Sequence, residues 1–226
     1  MQKWKELDFF DDKLIAFSRF HLKRGETLEL EADFEAPTWN QIYAMLLRQA
    51  QKIRQSNFKP NIIVGVKRGG WIPARVLSDL LEISDLATLG VEFYLGVTKT
   101  RKEPVLTKSV SGVVAGNNAL VVDDVADSGK SRQLVKEHIL QQGAREVRIA
   151  TLYCKPFSVT KPEYYESETR GWVVFPWDTK EIIRKIVEKH KDKRDIAVET
   201  GKLVKAGLPK KRIDKFLKEM LEDRNC

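Results

Sequence analysis

The stretch LVVDDVADSGKS, residues 120–131, sets an apolar, strand-forming run directly before a turn of small and polar residues. Leu120, Val121 and Val122 read as the end of a buried strand, and Ser131 opens a segment of helical spacing. Between them lie three carboxylates, Asp123, Asp124 and Asp127, and the turn Ser128-Gly129-Lys130. Small residues let successive backbone N–H groups converge on one anion at a helix N-terminus. Carboxylates repel phosphates, so the two halves of the loop must face different parts of a ligand. A sugar phosphate meets both demands. Asp123 and Asp124 would accept from vicinal hydroxyls, while Ala126, Asp127, Ser128, Gly129, Lys130 and Ser131 would surround a phosphate. An ATP-type loop is excluded: Gly129-Lys130-Ser131 matches the end of GxxxxGK[ST], but Asp124 stands where its leading glycine belongs.

Outward from this loop the chain alternates strands and helices. NIIVGV (residues 61–66) reads as a strand bounded by Pro60 and by Lys67-Arg68-Gly69-Gly70, and IPARVLSDLLEI as a helix with Pro73 in its first turn. ATLGVEFYLGV (87–97), ALVVDDV (119–125) and VRIATLYC read as strands. WNQIYAMLLRQAQKIRQSN (39–57), behind Pro37-Thr38, and SRQLVKEHILQQGA, ending at Gly143, read as helices. This order predicts an α/β fold: a mainly parallel central sheet flanked by helices, with ligands at the carboxyl ends of the strands. VTKTRKEPVLTKSVSG (97–112) has no period and is expected to be a long functional loop.

Three segments are expected. Residues 1–36 form an N-terminal extension, with LIAFSRFHLKRGETLELEADF read as a β-hairpin; 37–178 form the core; 179–226 form a basic extension of three amphipathic helices. From residue 180 onward, 15 Lys and Arg face 9 Asp and Glu, a surplus of six within a chain of net charge +8. Mixed charges on short helices read as solvated faces with no recognition helix, so a nucleic-acid partner is not expected. The 2 cysteines and 3 histidines are scattered, too few and too far apart to suggest a disulfide framework or a zinc site. No apolar run is long enough to span a bilayer, and MQKWKELDFFDDK is too acidic for a secretory signal, which predicts a cytoplasmic protein.

VVDDVADSGKS resembles the signature by which type I phosphoribosyltransferases bind 5-phosphoribosyl 1-pyrophosphate (PRPP). IVGVKRGGWIPARVLSDLL resembles the strand–loop–helix whose loop binds pyrophosphate in that family, which assigns Lys67, Arg68, Gly69 and Gly70 to that role. TLYCKPF and GWVVFPWD resemble the nucleobase hood of its purine members, especially the archaeal and bacterial 6-oxopurine enzymes. The resemblance implies the type I fold, with Lys155 on the exocyclic oxygen, Trp172 stacking on the ring and Val173 backbone groups at the base edge. It also implies a homodimer and a loop carrying Arg101 and Lys102 to the pyrophosphate.

The implied reaction joins a purine base to PRPP, giving a nucleoside monophosphate and pyrophosphate. Asp127 would be the general base, and Mg²⁺ would be held mainly through PRPP and water with Asp123 and Asp124 beside it. Lys155 only donates, which favours hypoxanthine, guanine or xanthine over adenine. Adenine stays open as an alternative. So do orotate, because FHLKRGETLELEADF loosely resembles the orotate hood, and a PRPP-sensing regulator that binds nucleic acid.

Overall fold

Thr38 starts the first helix with a reciprocal cap: the Gln41 N–H donates to Thr38 Oγ1 (3.3 Å), and Gln41 Oε1 accepts from the Thr38 N–H (2.7 Å). Such a cap stabilises a helix by about 1 kcal/mol. That helix, α1 (Trp39–Gln55), buries Ile42, Leu46, Ala50 and Ile53 along one face. The structure, a computed structural model, describes residues 34–95, 102–190 and 192–223. Among them, strand β1 (Phe34–Glu35) precedes α1. After it come β2 (Ile62–Lys67), α2 (Trp71–Leu81), β3 (Leu86–Leu95), β4 (Lys102–Lys108), β5 (Asn118–Ala126), α3 (Lys130–Gln141), β6 (Glu146–Cys154), β7 (Tyr164–Glu168) and β8 (Trp172–Val173). Helices α4 (Thr179–Lys189), α5 (Lys193–Lys205) and α6 (Lys210–Asp223) complete the order.

Two compact units divide these elements. The first, Thr38–Arg170, holds a six-stranded sheet in the order β4-β3-β2-β5-β6-β7. All neighbours in it are parallel except β3 and β4. Side chains alternate across a strand, so Ile62, Val64, Val66, Ala119, Val121, Val147 and Ile149 share a face, where Val135 and Ile139 of α3 cover them. Ile63, Leu120, Val122, Ala150 and Leu152 point the other way and are equally buried. Helices α1 and α2 cover that side. Gln49, fully buried on α1, donates to the Thr151 carbonyl of β6 (2.8 Å) and so satisfies a polar group inside this layer.

The second unit is built from the flanks of the first, with residues 34–37, 171–190 and 192–223 described. Here β1 and β8 pair in parallel, Phe34 opposite Trp172 and Glu35 opposite Val173. The three helices surround Val174, Ile182, Ile183, Ile186, Leu203, Leu208, Ile213 and Met220. The segment 171–178, which the sequence pattern joins to the core, thus lies in the same unit as the helices. Among the described residues no helix is long and apolar enough to cross a membrane.

Three sequence expectations need correction or restriction. The hairpin expected over 1–36 lies outside the described residues except for its end, and Phe34–Glu35 pairs in parallel with a distant strand. The loop expected over 97–112 contains β4, antiparallel to β3. Pro104 hid it, since proline cannot donate in a ladder, but β4 is an edge strand and tolerates one. Lys102 therefore opens a strand opposite Leu95, while Arg101 lies outside the described residues.

Candidate active site at the carboxyl ends of the strands

The order of the sheet reverses between β2 and β5. The chain leaves β2 for β3 on one side and returns to β5 on the other, which opens a crevice at their carboxyl ends. Both strands end there in a loop that runs straight into a helix.

After β2 the Lys67–Arg68 peptide bond is cis, and Lys67 and Arg68 are exposed. The Gly70 N–H donates to the Val66 carbonyl (2.9 Å), folding the loop back onto its strand. No side chain caps α2; the Trp71 N–H donates to the Arg68 carbonyl (3.3 Å), and Pro73 in the first turn has no N–H to offer. Glycine is required here by close approach. A Cβ on Gly70 would lie 2.3 Å from the Val122 carbonyl and 2.7 Å from Asp123 Cα, and one on Gly69 would meet the Asp124 carboxyl. The two loops assigned separately in the sequence are therefore in contact.

After β5, Asp123 and Asp124 are half-buried. The Asp124 N–H donates to Asp123 Oδ1 (3.0 Å), and the Val125 N–H donates to Asp124 Oδ1 (2.8 Å). Desolvation, followed by the adjacent Asp124 carboxylate, pushes the Asp123 carboxyl well above its ordinary 3.8; the bond from Asp124 N–H and the charge of Arg132 oppose this. Asp127 is half-buried, Ser128 and Lys130 are exposed, and Ser131 is half-buried at the start of α3. Gly129 holds the left-handed conformation (φ 94°) that turns the chain into α3, again with no side-chain cap.

The end of β6 closes on this turn. The Lys155 N–H donates to the Ala126 carbonyl (2.8 Å), the Val159 N–H reaches the Ser128 carbonyl (3.4 Å), and a Cβ on Gly129 would touch Val159 and Thr160. Lys155 is buried, at 4% exposure. Arg132, which no sequence motif singles out, is as buried as Lys155. Its Nη2 donates to Ser158 Oγ (2.6 Å) and to the Thr160 carbonyl. Burial lowers its pKa, against the pull of Cys154, Asp123, Asp127 and Glu163. An arginine beside a helix start reads from sequence as a solvated charge, so no local signal marked it.

Trp172 and Val173 belong to the second unit. Val173 is buried, and the half-buried Trp172 packs against the helical core. Nearby, the Phe175 and Trp177 rings stack with centroids 4.6 Å apart. Among the described residues no three His, Cys, Asp or Glu side chains gather to hold a metal ion.

The phosphoribosyl transferase domain family matches residues 38–182, well over half of the chain. The chain belongs to that family. As a phosphoribosyltransferase of the type I fold, it carries the loops 67–70 and 123–131 at the ends of the adjacent parallel strands β2 and β5. The phosphoribosyltransferase is 32% identical over 144 residues to the xanthine-guanine phosphoribosyltransferase of Gluconobacter oxydans, covering 63% of this chain and 83% of that protein. The purine phosphoribosyltransferase structure from Pyrococcus horikoshii is 39% identical, with a TM-score of 0.58 over 64% of this chain and 93% of that one. A Neisseria gonorrhoeae protein solved with bound ppGpp is 28% identical, with a TM-score of 0.58 over 65% and 90% of the two chains.

Proposed function

We propose that the enzyme transfers the phosphoribosyl group of PRPP to a purine bearing an oxygen at C6, releasing pyrophosphate. The observation that carries this reading is the buried Lys155, tied through its own N–H to Ala126 at the base of the signature turn. An ammonium group donates and never accepts, so it suits a C6 oxygen and not the amino group of adenine. The similarity to xanthine-guanine and purine enzymes, and to a protein holding the guanine nucleotide ppGpp, supports the same class.

In this reading Asp123 and Asp124 accept from the ribose hydroxyls, and Ala126, Asp127, Ser128, Gly129, Lys130 and Ser131 form the phosphate and ribose cradle. Lys67, Arg68, Gly69 and Gly70 hold the pyrophosphate, aided by Arg101 and Lys102. As the bond between the ribose C1 and the pyrophosphate oxygen breaks, positive charge grows on the sugar ring, and the base lone pair forms the new bond to C1. Asp127 accepts the proton that the base gives up, and the fixed N–H groups and cations stabilise the leaving group. The family resemblance assigns Val173 backbone groups to the base edge and Trp172 to stacking on the ring.

Mg²⁺ fits this donor set as an ion held mainly by PRPP oxygens and water, with the Asp123–Asp124 pair beside it. It would neutralise charge on the departing pyrophosphate. The enzyme also forms a homodimer in this reading, supported by a stripe on α1, where Trp39, Tyr43 and Leu47 recur every fourth residue at 52%, 50% and 47% exposure.

PRPP-dependent nucleotide formation from hypoxanthine, guanine, xanthine, adenine and orotate, run in parallel, tests the reading. Turnover confined to the first three supports it. Turnover of adenine or orotate at equal or greater kcat/KM overturns it, as does tight nucleic-acid binding without turnover.

A further inference from the structure

Arg132 joins two parts of the site that the sequence keeps apart. It sits in the first turn of α3, immediately behind the phosphate turn, yet its side chain runs inward and is only 3% exposed. A buried guanidinium is costly unless its donors are used. Here Nη2 is spent entirely on the segment after β6: it donates to Ser158 Oγ and to the Thr160 carbonyl. Ser158 in turn donates to the Thr160 carbonyl (3.2 Å) and its N–H bonds to the Lys155 carbonyl (3.0 Å), so the three form one linked turn. That turn begins at Lys155. The Nε group of Arg132 is buried with no acceptor among the described residues, a cost that the bonds of its Nη2 must offset.

We propose that Arg132 is a positioning residue for the base subsite: it clamps the turn 155–160 to the phosphate turn and so fixes where Lys155 presents its ammonium group. A planar fork suits this task because one guanidinium nitrogen can serve two acceptors in fixed directions, which an ammonium on a flexible stem does not. The proposal rests on the assignment of Lys155 to the base. It predicts that the clamp acts on base affinity far more than on PRPP affinity, because the phosphate turn keeps Gly129, α3 and the bond from the Lys155 N–H to the Ala126 carbonyl (2.8 Å) when the Arg132 side chain is removed.

The test is steady-state kinetics on Arg132→Met, Arg132→Lys and Ser158→Ala, with thermal melting of each and the wild-type protein assayed first to establish which base turns over. For that base, Arg132→Met is expected to raise KM about tenfold or more, the scale set by lost hydrogen bonds to a charged group, with KM for PRPP changed less than about twofold. Ser158→Ala should move KM for the base in the same direction by less, and the double variant should be no worse than Arg132→Met. Arg132→Lys should restore little of the base affinity even where it restores melting. Equal rises in both KM values, additive effects of the two sites, or an unchanged KM for the base in a folded variant would overturn the clamp. If Arg132→Met does not fold, Arg132→Lys and Ser158→Ala decide the matter by the same KM comparison. Wild-type turnover of an unexpected base would overturn the specificity reading while leaving the comparison of KM values intact.

Discussion

Gly69 and Asp124 touch across the gap between two strand ends: a Cβ placed on Gly69 would lie 1.8 Å from Asp124 Oδ2. The neighbouring Gly70 is blocked by backbone, 2.3 Å from the Val122 carbonyl, and not by a side chain. The two glycines should therefore fail differently. Gly69→Ala can be relieved by turning the Asp124 carboxyl, so its main effect should be a fall in kcat/KM for PRPP of ~10²-fold, the scale of a displaced binding group. Gly70→Ala forces two strands apart and should cost about 1–3 kcal/mol of stability, as overpacking does. Kinetics and denaturant melts on both variants check the contrast.

Asp127→Asn removes the proton acceptor while keeping the shape of the turn. Turnover should fall by ~10²-fold or more, within the range of general acid–base catalysis, with KM for PRPP little changed. Near wild-type kcat would take Asp127 out of the mechanism.

Asp123 carries a prediction about pH. Its folded-state pKa is raised, so between 3.8 and that higher value the folded protein holds a proton that the unfolded chain has released. Stability contributed by this group is therefore lost as pH rises through that window. Asp123→Asn should raise Tm at neutral pH, and the advantage should vanish below about pH 3.8, where both forms of the aspartate are protonated. The same variant should bind PRPP at least ~10-fold more weakly, since an amide nitrogen that only donates replaces one oxygen acceptor for the ribose hydroxyls. A Tm difference independent of pH would contradict the assigned cause.

Lys155→Met keeps the length and burial of the side chain and deletes its donor. KM for a 6-oxopurine should rise ~10- to 100-fold, as for a hydrogen bond from a charged group, while KM for PRPP should be little changed. A parallel rise in both KM values would point to a structural role.

The stripe on α1 predicts a concentration-dependent dimer. Tyr43→Glu should shift the protein to a monomer in sedimentation equilibrium with its melting temperature retained. A wild-type monomer at all concentrations would refute the dimer.

The residues that could be read in the sequence were those whose own physics is local. Gly129 adopts the left-handed turn its type allows, and Val121 and Val122 are buried as a strand-forming run should be. Thr38 caps the helix it precedes. What escaped was decided at a distance. Strand β4 depends on lying at an edge, where Pro104 does no harm, and β7, with its run Tyr-Tyr-Glu-Ser-Glu, depends on pairing with β6. Arg132 is buried because Ser158 and Thr160 come to meet it, which its neighbours in sequence do not announce. The pairing of Phe34 with Trp172 joins opposite flanks of the chain and leaves no periodic trace.

That last pairing bears on how the protein can be cut. The family match begins at residue 38, yet the strand partner of Trp172 and Val173 lies just upstream, at Phe34 and Glu35. A truncation drawn at the edge of similarity would strip β8 of its neighbour, leaving the Val174 N–H without the Glu35 carbonyl that accepts it at 2.8 Å. Two residues, Phe34 and Glu35, hold one side of that ladder, so the region matched by the family is shorter than the region that must be expressed together.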